Sequence, residues 1–139
     1  MNDKEKEIRI KKALDYHKKG YNCAQSVACS FCDMVNTPEE TVFAAAEGLG
    51  LGMGCMEGTC GAISAAALLS GLKNSTVRLE KPDSKAVSYK DAKACLSTFL
   101  QMHGTVVCKD LKGIETGKVI RSCDGCIEDA AGIIADLLF

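Results

Sequence analysis

Glu57-Gly58-Thr59-Cys60-Gly61-Ala62-Ile63-Ser64 divides this chain into two unlike halves. Before it lies a glycine ladder, Gly48-Leu49-Gly50-Leu51-Gly52-Met53-Gly54, and after it a small, apolar run continues to Gly71. Such a run after a glycine-rich turn reads as a buried helix. Thr59 is the expected N-cap, its hydroxyl accepting from an amide of the first turn. Cys60 is then the first helical residue, where the partial positive charge of the helix end favours a thiolate over a thiol. The same grammar recurs twice. Asn22 caps a helix that starts at Cys23, with Gln25 set for the return bond of a capping box. Ser122 caps one that starts at Cys123. Three cysteines at three helix N-termini are the main functional signal in the sequence.

The flanking segments fill in the fold. Residues 3 to 19 carry Ile10, Ala13, Leu14 and His17 at helical spacing, and Gly20 is a natural stop. A second helix covers 23 to 35. Thr37-Pro38-Glu39-Glu40 opens a third with an N-cap, a proline at the first position and a capping-box glutamate; it runs to Gly48. The fourth covers about 60 to 70, the fifth about 85 to 103 and the last about 123 to 138, each by its apolar spacing. Residues 72 to 83 and 105 to 121 lack clear periodicity; Thr76 to Leu79 is a weak extended candidate, and Gly113 and Gly117 mark bends. The expectation is all-α: a compact bundle of five or six helices forming one domain over 1–139, with a glycine-rich connector before the central cysteine helix.

Composition narrows the function. With 47% hydrophobic and 25% charged residues over 139 positions, the chain can bury its own core. The net charge of -1, with no basic block, argues against nucleic acid as a partner. No apolar run reaches membrane-spanning length unbroken. Met1 to Lys12 carry no apolar leader segment, so the expected location is cytoplasmic. Nine cysteines are then reduced thiols, and their odd number forbids pairing them all within the chain.

Helical geometry sorts these thiols. Cys29 and Cys32 share a helix face that Cys23 does not, and sit in an apolar run; they and Cys95 read as packing residues. Cys123-Asp124-Gly125-Cys126 sits at a helix start and suits a redox dithiol or two metal ligands. Cys55 and Cys60 form another close pair in the glycine-rich turn, while Cys108 is open to either role. No Cys-x-x-Cys is followed by His, which excludes a c-type haem attachment motif. The glycine ladder contains no Gly-x-Gly-x-x-Gly and no P-loop, so nucleotide binding is disfavoured. Its functional reading is a backbone that approaches an anionic cofactor, with Gly58 and Gly61 as the candidate contacts. His17 and His103 are helix residues, and no Ser-His-Asp set stands out for hydrolysis.

This pattern resembles the C_GCAxxG_C_C family of redox-active proteins, whose central motif reads Cys-Gly-Ala-x-x-Gly. Cys23, in Asn22-Cys23-Ala24-Gln25, matches the family's first cysteine. Cys60-Gly61-Ala62-Ile63-Ser64-Ala65 matches the central motif, with Ala65 where the family has glycine. Cys108 matches the third cysteine and Cys123 the fourth. The resemblance implies a helical redox protein carrying an iron–sulfur cluster or similar group. Cys23, Cys60, Cys108 and Cys123 are thus the expected ligands, of an iron–sulfur cluster first and of zinc as the alternative. A redox partner protein follows from that role. The rival reading is a thiol–disulfide oxidoreductase using Cys123 and Cys126, or Cys60.

Overall fold

The computed structural model describes all 139 residues, and its ordered elements are helical. Helix α1, Asp3–Lys19, begins where the Asn2 side chain accepts from the Glu5 amide and ends at left-handed Gly20 (φ 116°). Helix α2, Cys23–Cys29, opens with both halves of the Asn22–Gln25 capping box in place. It is shorter than expected. The Ser30 and Phe31 amides bond to carbonyls three residues back, which tightens the helix end, and the Ser30 hydroxyl donates to the Val27 carbonyl at 2.7 Å. The chain then resumes as a 3-10 turn over Cys32–Val35.

Helix α3, Glu39–Ala46, has Pro38 as its N-cap and not Thr37. The Thr37 hydroxyl donates instead to the Val35 carbonyl at 2.9 Å. The glycine ladder folds as a short 3-10 turn, Glu47–Leu49, followed by α4, Gly50–Met53, a single distorted turn in which Leu51 (φ 55°) and Gly52 (φ 56°) are left-handed. Helix α5, Gly61–Asn74, runs past Gly71 and is capped at Ser75. Helix α6, Lys85–His103, closes on left-handed Gly104. A short α7, Cys108–Lys112, appears in the segment that lacked periodicity. Helix α8, Cys123–Leu137, starts with the Ser122 side chain accepting from Gly125. Thr76 to Leu79 forms no strand.

The fold is all-α, with seven regular helices besides the distorted α4. Helix α5 lies at its centre, against α2, α6 and α8, while α1 covers α8. Its buried face is mostly alanine: Ala62, Ala65 and Ala66 are buried, with Leu69 beyond them. Small side chains let neighbouring helices come close, and Phe31, Phe99, Ile127 and Ile134 fill what remains. Ala65 fits this core without needing the family's glycine. Cys29 and Cys95 are fully buried among apolar neighbours, as packing thiols. Burial pushes them up to about 12 and about 11 respectively. The Met1 ammonium donates to the Phe139 carbonyl at 3.1 Å and so ties the two ends of the chain. No helix is long and apolar enough to cross a membrane.

One isolated antiparallel bridge, Thr59 to Val107, joins the loop before α5 to the loop before α7. Through it the Cys60 amide donates to the Val106 carbonyl at 2.7 Å and the Cys108 amide to the Gly58 carbonyl at 3.0 Å. Two cysteines distant in sequence are thereby fixed side by side.

Candidate functional site

Four separate segments carry the cysteines that matter. Cys23 is the first residue of α2, held by the Asn22 cap. The Asn22 side chain also donates to the Glu47 carbonyl at 2.9 Å, anchoring the glycine ladder over this helix start. Cys108 is the first residue of α7 and Cys123 the first of α8. Cys60 departs from expectation. It is the N-cap of α5, not its first helical residue, with φ -48° and ψ 127°. Thr59 makes no cap, because the bridge to Val107 holds it extended. The Cys60 side chain makes no capping hydrogen bond, although the nearby Ala62 and Ile63 amides favour its thiolate.

These segments converge. A cavity of about 180 Å³ is lined by Cys23, Cys60, Cys108, Cys123 and Cys126. Leu51 and Leu111 supply apolar wall, and His17, Asn22, Lys112 and Arg121 the polar part. Cys29, Cys32, Cys55 and Cys95 lie outside it; Cys55 is exposed and Cys32 half-buried.

The glycines explain the close approach. A Cβ on Gly61 would stand 2.6 Å from the Cys23 sulfur, and one on Gly52 would stand 2.4 Å from the Cys108 Cβ. Gly61 thus makes room for a neighbouring cysteine. Gly58 works differently: its amide donates to the Gly52 carbonyl at 3.0 Å while its carbonyl holds the Cys108 amide. Neither Gly58 nor Gly61 lines the cavity.

The electrostatics separate the sulfurs. Cys60 is lowered to about 7, chiefly by the neighbouring Cys126 thiol, against the opposing effect of burial. The Ala62 and Ile63 amides and the Lys112 charge assist. Cys126 is pushed up by the neighbouring Cys60 sulfur and by burial. Burial raises Cys23 and Cys108, and the charges of neighbouring sulfurs raise them further. At the rim, Arg121 grips Asp129 through two hydrogen bonds of 2.9 and 3.2 Å. His103 Nε2 meets the same carboxylate at 2.9 Å. His17 Nδ1 lies 2.7 Å from Asp124.

No group of three or more His, Cys, Asp or Glu side chains is gathered in a way that could hold a single metal ion. All five cysteines nevertheless line one cavity. Cys126 joins the other four through a signal present in the sequence, since residues three apart on α8 share a face. Lys112 and Arg121 carried no such signal; only the tertiary fold brings them to the cavity.

Residues 21–137 match the sequence model of the family described as "Putative redox-active protein (C_GCAxxG_C_C)". The chain belongs to this family. No curated protein and no solved structure matches it.

Proposed function

We propose that this member of the redox-active family is an electron carrier that holds an iron–sulfur cluster through Cys23, Cys60, Cys108 and Cys123. The observation that carries the reading is that four segments far apart in sequence present these thiols to one cavity. The donor set fits. The lining holds five thiols and no carboxylate, a soft set that suits iron–sulfur clusters or zinc over hard cations. The bare Cα of Gly61 leaves space for the Cys23 sulfur beside it. A single tetrahedral ion with bonds of about 2.3 Å draws its sulfurs to within about 4 Å of one another. Thiols drawn from four segments to the lining of one cavity suit a larger group such as a cluster.

A bound cluster supplies one-electron transfer. The chain's own residues hold it and set its potential. The Ala62 and Ile63 amides near the Cys60 sulfur favour negative charge there. Lys112 and Arg121 add positive charge at the cavity, and Leu51 and Leu111 limit water. A redox partner protein would exchange electrons at the cavity mouth.

Anaerobic purification with iron and sulfide reconstitution tests the reading. The expected product is brown and contains iron and acid-labile sulfide, and Cys→Ser at position 23, 60, 108 or 123 loses both. A colourless product holding stoichiometric zinc would reassign the same thiols to a structural site.

One observation favours a second reading, a dithiol oxidoreductase: Cys60 and Cys126 line the same cavity, and the Cys60 thiol is lowered. In that chemistry the Cys60 thiolate attacks a substrate disulfide and expels one thiolate. Cys126 then gives its proton to that thiolate, attacks the Cys60 sulfur and expels the second. The substrate disulfide is reduced and a Cys60–Cys126 disulfide forms. A colourless, metal-free protein in which iodoacetamide modifies Cys60 first at neutral pH would support it.

A further inference from the structure

We propose that Arg121 makes the cavity selective for small anionic reactants, carboxylates first, and that Gly125 is bare so that the Arg121 guanidinium can lie across the first turn of α8. The proposal rests on the cavity and its thiols, whichever group they bind.

Three distances place this side chain. A Cβ on Gly125 would stand 2.4 Å from Arg121 Nε, 2.6 Å from its Cζ and 2.7 Å from its Cδ, so only glycine leaves the path open. Asp129, one turn further along α8, accepts from Nε at 2.9 Å and from Nη2 at 3.2 Å. That carboxylate is itself held from the core. His103 Nε2 meets it at 2.9 Å, and the His103 ring packs edge-on against buried Phe99 with centroids 4.7 Å apart. A guanidinium has five N–H donors. Asp129 takes two of them, and Nη1 has no partner in the chain. Arg121 lines the cavity, whereas Asp129 and His103 do not. The Arg121–Asp129 pair is neutral as a whole, but its positive end is the one at the cavity: the carboxylate is 13% exposed and the guanidinium side chain 38%. Lys112 adds a second positive charge to the lining, and no carboxylate there offsets it. An anion that enters meets positive charge and unused N–H donors, which suit a carboxylate and give a neutral molecule of the same size no such gain.

Paired alkylation of the metal-free chain tests this, with iodoacetate as the anionic reagent and iodoacetamide as its neutral counterpart. Both attack the same thiolate, so any change in its ionisation cancels in the ratio of their rates. Peptide mapping reads that ratio at half-buried Cys123, inside the cavity, and at exposed Cys55, outside it. Arg121→Gln should lower the ratio at Cys123 about threefold and leave it unchanged at Cys55. Arg121→Lys keeps the charge and should retain part of the ratio. Gly125→Ala removes no charge, and its methyl group meets the flexible Arg121 side chain, so the fold should survive while the guanidinium is displaced. It should lower the ratio at Cys123 as well. An unchanged ratio at Cys123 in Arg121→Gln overturns the proposal, as does an equal fall at Cys55, which would report only the net charge of the chain. A Gly125→Ala protein with the wild-type ratio overturns the part given to the glycine. Should Arg121→Gln fail to fold, Gly125→Ala decides alone. Iron uptake plays no part in this measurement, so failure of the cluster reading leaves its outcome readable.

Discussion

Replacing Gly61 by alanine adds one methyl group at a crowded glycine beside the site. The new Cβ would stand 2.6 Å from the Cys23 sulfur, 2.8 Å from the Leu49 carbonyl oxygen and 3.0 Å from the Gly50 Cα. Two of these neighbours are backbone and cannot swing aside; the sulfur must retreat by about 1 Å to restore ordinary contact. Gly61 is helical with no left-handed φ, so alanine suffers no conformational penalty there. The effect is steric, and overpacking of this kind costs about 1–3 kcal/mol. Gly71, in the same helix, is the control: nothing lies within 4 Å of an added Cβ. There alanine should stabilise by about 0.5–1 kcal/mol. Urea denaturation of the metal-free variants measures both, and iron content after reconstitution measures the displaced Cys23. The reasoning is refuted if Gly61→Ala is as stable as Gly71→Ala and takes up iron normally.

Asn22→Ala removes the α2 cap and its bond to Glu47 together, and should cost about 1–2 kcal/mol in a thermal melt. Thr59→Ala should leave the α5 start almost unchanged, because the cap there is Cys60. Lys112→Ala removes a positive charge that lowers Cys60, so the alkylation midpoint of the metal-free chain should move up from about 7. Cys29 and Cys95 are raised by burial, so the stability they contribute as thiols is intact below the ordinary thiol value of 9.0 and is lost as pH rises toward about 12 and about 11. Denaturation midpoints of the metal-free protein should therefore fall above about pH 9, and Cys95→Ala should flatten that fall while keeping the cluster.

Helices α1, α6 and α8 were legible to within a residue because local signals agree there: apolar spacing in each, a glycine stop after α1 and α6, and a side-chain cap before α1 and α8. The α2 capping box was legible for the same reason. The start of α5 was not. Thr59 is the better capping residue by local preference, but pairing with Val107, distant in the chain, removes it from that role. The glycine ladder also concealed its shape, since Leu51, Met53 and Met56 adopt positive φ that no propensity assigns to such residues. Three helix-start cysteines could be picked out from sequence. That their sulfurs share a cavity with Cys108 and Cys126 depends on how the helices pack, which local pattern does not encode.

Iron and acid-labile sulfide, assayed in the anaerobically reconstituted wild type beside Cys60→Ser and Cys95→Ala, bear on the heart of this account. It predicts both elements in equal amounts in the wild type and in Cys95→Ala, and their loss in Cys60→Ser. A wild type without iron, or a Cys60→Ser protein that retains the full amount, would contradict it.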